Sequence, residues 1–183
     1  MPIDPGITTL IDRLTGPFDH PPVAVRCIAS SLGLAIIDET AGDENIGASI
    51  NFHSPIIRIN PIQPAPHQRL AIAVLIGHWL IHTNRGRSPA NPVRIAFCNP
   101  YADRTSDGLD AISIAIEILM PEHLICHILE YGIDVEIPWL FEVPDSVWSL
   151  RKSRNALTRS ASSDTEAEFS CENRIPTADL IDA

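Results

Sequence analysis

Residues 69 to 82 read Arg-Leu-Ala-Ile-Ala-Val-Leu-Ile-Gly-His-Trp-Leu-Ile-His, and they cannot make a surface helix. Wound at 3.6 residues per turn, they place apolar side chains on nearly every face, so the helix must be covered on all sides. The apolar run from Leu70 to Ile81 is twelve residues and contains His78. A bilayer crossing takes roughly 20 residues, so this helix belongs at the centre of a soluble domain. A chain of 183 residues is long enough to build that domain around it, with a tail to spare.

The flanking sequence supplies the covering elements. Pro5 to Leu14 reads as a short helix, and Val23 to Leu32 as another, opened by Pro21-Pro22 and capped by Gly33. Leu34 to Asp38, Ala48 to Phe52 and Ile56 to Asn60 read as short strands. Residues 84 to 107, rich in Asn, Pro, Ser, Arg and Gly, read as one long connecting loop. Leu109 to Leu119 follows as a helix with Leu109, Ile112, Ile116 and Leu119 in its apolar stripe. Pro121 opens a further helix that Gly132 ends, and residues 138 to 154 give a helical pair around Val143-Pro144. The expected fold is α+β: a small, mostly antiparallel sheet packed on a helical bundle, with helices 69–82 and 109–119 crossing at a cleft. From Ser160 onward Ser, Thr, Asp and Glu dominate, as in a solvated tail.

Charge narrows the function. Thirteen basic against 23 acidic side chains leave a net charge of -10, the wrong sign for gripping nucleic acid directly. The four cysteines, Cys27, Cys98, Cys126 and Cys171, form no Cys-x-x-Cys pair. With no signal peptide in view, they read as thiols in a cytoplasmic protein.

One pattern on the central helix bears on chemistry. In the zinc-peptidase motif H-E-x-x-H, two histidines four apart share a helix face and bind the metal, while the Glu serves as general base. Here Gly77-His78 supplies the second histidine, but Val74 stands at the first and Leu75 at the Glu. An isopropyl group offers zinc no lone pair, and an isobutyl group cannot take a proton from water.

Several stretches, in order, resemble the ImmA/IrrE family of metallopeptidases. VAVRCIASSLGLAII (23–37) is similar to the family's opening helix and strand, and IRIN (57–60) to the strand before the active-site helix. RLAIAVLIGHWLIH (69–82) is similar to R-F-T-x-A-H-E-x-G-H-x-x-x-H without a gap. DAISIAIEILMP (110–121) is similar to E-A-N-x-F-A-x-x-L-L-M-P, and WLFEVPDSVWSLR (139–151) to the closing segment. The resemblance implies a zincin-like, peptidase-type domain over residues 1–155 and a Ser-rich, acidic tail over 156–183. It places the family's zinc ligands, two histidines and a Glu, on Val74, His78 and Asp110, with Leu75 at the base and Ile112 at the Asn of E-A-N.

Two protein donors fall short of the three usual in catalytic zinc sites, so no catalytic residue is assigned and no cofactor is expected. A second reading shifts the metal by one turn: His78 and His82 are four apart on one face, and Asp110 completes the set. That would be an active zinc metallopeptidase cleaving a repressor, with Trp79 where the base belongs. The plainer reading leaves His82 as a helix-end hydrogen-bonding group and pairs a neutral, buried His78 with Asp110. His123 and His127 share the four-residue spacing but belong on a partly exposed helix face. Trp79, Trp139 and Trp148 read as core residues, and 153 to 163 as linker. Family members cleave or inactivate helix-turn-helix repressors of mobile elements or stress genes. The resemblance therefore implies a regulator that occupies such a repressor, or another protein partner, without cutting it. An acidic surface suits a basic, DNA-binding partner. Returning His to position 74 and Glu to position 75 is expected to restore zinc uptake.

Overall fold

The computed structural model describes residues 3–39, 45–130 and 136–161, with side chains as far as 154. In chain order the elements are α1 (Pro5–Thr15), α2 (Val25–Ser31), β1 (Ala35–Asp38), β2 (Ile46–Asn51), β3 (Ile56–Ile59), α3 (Ala65–Asn84), β4 (Val93–Ala96), α4 (Ser106–Leu119), α5 (Glu122–Glu130), α6 (Ile137–Leu140) and α7 (Asp145–Ala161). The arrangement is α+β, as the sequence implies. Helix ends follow local chemistry. Asp4 accepts the Gly6 N–H at 2.8 Å to start α1, and Thr105 accepts the Gly108 N–H at 3.1 Å to start α4. Gly33, at φ 75°, closes α2 in the left-handed conformation that side chains avoid.

The sheet runs β1-β3-β2-β4. Its central pair is antiparallel, with Ala48 opposite Ile59, and β4 pairs antiparallel with β2, with Ile50 opposite Val93. Only β1 lies parallel to its neighbour β3, Ala35 facing Ile56. Ala48 and Ile50 on β2, and Ile57 and Ile59 on β3, turn inward at the two-residue period of a strand.

Strand β4 corrects the expectation of a single loop from 84 to 107. Four residues of Val-Arg-Ile-Ala carry too little alternation to announce a strand, and the partner that makes them one is β2, some 45 residues earlier in the chain. Leu109 is a second correction: it is 53% exposed. Ile112, Ile116 and Leu119 of the same stripe are buried, so the stripe is right but the covering elements stop short of its first member, in the opening turn of α4. Trp139 is a third, at 73% exposure rather than in the core. Gly132 and Cys171, and the tail beyond Ala161, lie outside the described residues. Cys27 and Cys98 are thiols. Among the described residues no single helix is long and apolar enough to cross a membrane.

At the centre lies α3, as its all-round apolar surface requires. Residues Leu70 to His78, with Leu80 and Ile81, are buried. The helix packs on α4 to one side and on β2, β3 and β4 to the other, with α1 and α2 also against it.

Candidate functional site

The crossing of α3 and α4 sets the site. A Cβ at Gly77 would stand 2.5 Å from the Ala111 carbonyl oxygen and 2.9 Å from its Cα. Only a glycine allows the two backbones so close, and the contact brings the start of α4 alongside the second half of α3. Val74 and Leu75, at the first-histidine and general-base positions of the motif, are 1% and 0% exposed. Both belong to the buried hydrophobic core, so the two positions where metal and base chemistry would be done are closed to solvent.

His78 lies at the heart of this crossing, 2% exposed. The carboxylate of Asp103, in the segment between β4 and α4, stands beside it, with Nε2 4.0 Å from Oδ2. That separation is beyond hydrogen-bond reach, and neither ring nitrogen of His78 has a hydrogen-bond partner among the described residues. Burial, offset in part by Asp103, pushes the imidazole pKa down to about 4. At neutral pH the ring is therefore uncharged, and its meeting with Asp103 is not an ion pair. Asp103 itself is fixed: its Oδ1 accepts the Thr105 N–H at 2.9 Å, and its carboxyl group fills the space a Cβ at Gly108 would take. Burial pushes that carboxyl up, but hydrogen bonds from Thr105 and the nearby His78 outweigh it and hold it below its ordinary value.

The low His78 pKa has a measurable consequence. Between its unfolded value near 6.5 and its folded value of about 4, the unfolded chain binds a proton that the folded chain refuses, so stability falls as pH falls. From pH 7 to pH 4.5 this one group is expected to remove about 2–3 kcal/mol. Urea denaturation across that range reads the effect, and His78→Gln should flatten the slope by that amount. An unchanged slope in the variant would mean His78 is hydrated in the folded protein.

The second histidine and the carboxylate of the displaced-metal reading are placed differently. His82 is half-buried one turn along α3. Its ring stacks with His78 at 6.1 Å between centroids and 11° between planes, and it meets Phe52 edge-on at 5.0 Å. Phe52 in turn stacks on Trp79 at 5.5 Å. Asp110 turns to Arg85, Nη2 to Oδ2 3.7 Å, and Arg85 also bonds Asp107. The buried hydrogen bond from His78 to Asp110 therefore does not form. His82 is held by aromatic packing, and its Nδ1 has no partner. Burial lowers its pKa, with Asp107 raising it and Arg85 and Arg87 lowering it further. Among the described residues no three His, Cys, Asp or Glu side chains gather as a metal-binding group. The zinc of the resemblance thus finds no fitting set of donors here, and no chemical step is assigned to it.

Sequence reading missed Asp103, Arg85 and Asp107. A clue to Asp103 exists in Asp-Arg-Thr-Ser-Asp-Gly, a helix-capping composition, but nothing in its spacing points to a histidine 25 residues earlier. His123 is exposed, as expected, its Nε2 3.1 Å from the Phe18 carbonyl oxygen.

Against known proteins, residues 29–151 match the family model of the IrrE N-terminal-like domain. No curated protein matches the chain. Among solved structures, a Mycobacterium tuberculosis transcriptional regulator shares the fold at a TM-score of 0.50 and 10% identity, over 79% of this chain. The chain spans 46% of that regulator's length.

Proposed function

The chain belongs to the IrrE N-terminal-like domain family, and on that premise we propose that it is a catalytically impaired regulator that binds a protein partner without cutting it. One observation carries the reading: Val74 and Leu75 sit in apolar packing where the family's first zinc ligand and general base belong. Without those groups, binding is what the scaffold still offers. The outer edge of β4 pairs with no strand among the described residues and lies beside α3, so an extended segment of a partner can add to it through backbone hydrogen bonds. A helix-turn-helix repressor fits the net charge of -10, because a DNA-binding protein is basic. The setting is cytoplasmic transcription regulation, in a mobile element or a stress response. The M. tuberculosis neighbour, itself a transcriptional regulator, agrees in kind.

The test is to mix purified protein with the helix-turn-helix repressor encoded beside it. Co-elution with a repressor of unchanged mass, insensitive to chelator, is the expected result. Repressor cleavage abolished by chelator and by His78→Ala would establish instead an active zinc metallopeptidase using His78, His82 and Asp110. The absence of both a complex and cleavage would sink both readings.

A further inference from the structure

Trp139 is the largest apolar side chain that the fold leaves in water, at 73% exposure. Its position is fixed by its surroundings. Trp139 N–H donates to the Glu136 carbonyl at 2.9 Å, Glu142 N–H to the Trp139 carbonyl at 3.1 Å, and Val143 N–H to the Pro138 carbonyl at 2.9 Å. Phe141 and Val143 are buried on the inner side of the same turn. Glu142 adopts φ 51°, left-handed backbone that an ordinary side chain seldom takes, and its carboxylate lies 3.7 Å from Arg69 of α3. The turn is thus tied down around an indole that stands clear of it. A solvent-exposed aromatic on a fixed stretch of backbone is the kind of side chain that anchors a protein–protein contact.

Charge decides what such an anchor meets. Glu136, Glu142 and Asp145 bracket Trp139 within ten residues, and all three are exposed. A second copy of the chain docking here across a twofold axis would set these carboxylates against their own images. The chain's own last 22 residues carry six carboxylates and one arginine, and like charge turns them away as well. A guanidinium satisfies both parts of the surface: its flat face stacks on an indole while its N–H fork bonds a carboxylate. We propose that the turn around Trp139 is a docking surface for an arginine-bearing segment of a basic partner protein. It is separate from the His78 crossing, because Arg69 and His78 are nine residues apart on α3, about 13 Å along its axis. The two surfaces can therefore fail or succeed independently.

The probe is a fluorescein-labelled, alanine-based helical 16-mer with arginine at every fourth position, titrated with the full chain and followed by anisotropy. The arginine peptide is expected to bind, and its glutamate-substituted twin is not. Trp139→Ala should weaken binding by about tenfold or more, the scale of a central aromatic anchor, with an unchanged far-UV spectrum and an unchanged His78 pH profile. Glu136→Lys should weaken it as well while leaving the indole in place. Equal binding by wild type and Trp139→Ala overturns the proposal, as does no binding by the wild type. Concentration-dependent self-association lost in Trp139→Ala would also overturn it, in favour of a second copy as the occupant. None of these outcomes bears on whether the repressor is cut.

Discussion

Leu75→Glu is expected to cost the fold about 3–5 kcal/mol at neutral pH, the range for an uncompensated buried charge. Domains of this size are held by about 5–15 kcal/mol in total, so the variant should be the most damaged single substitution on α3. Two losses combine. Leu75 is fully buried, and removing it forfeits its burial, about 1.5–3 kcal/mol for such a side chain. The incoming carboxylate would stand fully buried in the hydrophobic core, where desolvation raises its pKa above the unfolded value. The sign of the pH dependence follows. As pH falls through that raised pKa the buried acid takes up its proton in the folded state first, and the penalty shrinks. The urea midpoint gap to wild type should therefore be wider at pH 8 than at pH 5. Wild-type stability at pH 7 would mean that position 75 faces a hydrated cleft, and the argument for lost chemistry would fall with it. In the double variant Val74→His/Leu75→Glu the apo protein should be similarly weakened, and added zinc should raise its melting temperature by mass action. No response to zinc would mean that Arg85 keeps Asp110 out of the ligand set.

Gly77→Ala is expected to destabilise by about 1–3 kcal/mol, the range for overpacking, even though alanine in a helix interior is favoured over glycine by about 1 kcal/mol. The two effects oppose, and the contact decides between them. The new methyl would meet Ala111 backbone atoms, at 2.5 Å for the oxygen and 2.9 Å for Cα, and backbone in the middle of a helix cannot turn aside as a side chain can. Helices α3 and α4 must move apart, which disturbs every buried residue between them, including His78. A melting temperature equal to or above wild type would show that the two helices are not held so close.

Much of this architecture was legible in the sequence because it rests on local rules. The all-round apolar surface of residues 69 to 82 required a central helix, Gly33 marked the end of α2, and the β-branched run of Ile56 to Ile59 marked a strand. The match of GHWLIH and ILMP to a family pattern found the scaffold. Where reading failed, the cause was each time a contact between distant segments. Strand β4 exists because β2 pairs with it. Leu109 is exposed because the elements that cover Ile112 and Ile116 of its own stripe stop short of the first turn of α4, and Trp139 because the turn carrying it is pinned by Phe141 and Val143.

The replacement of a lone pair and a proton acceptor by two aliphatic groups at 74 and 75 is a covalent fact, fixed by the sequence before any folding. Which carboxylate meets His78 was not. Spacing along one helix settles only which side chains are neighbours on that helix; it was the resemblance to the family's ligand set that made Asp110, on α4, the expected partner. Only the tertiary structure, by drawing Asp110 to Arg85 and laying Asp103 over Gly108, placed a different acid beside a histidine 25 residues away in sequence. Local spacing holds no record of such pairings, because they are set by how whole elements pack.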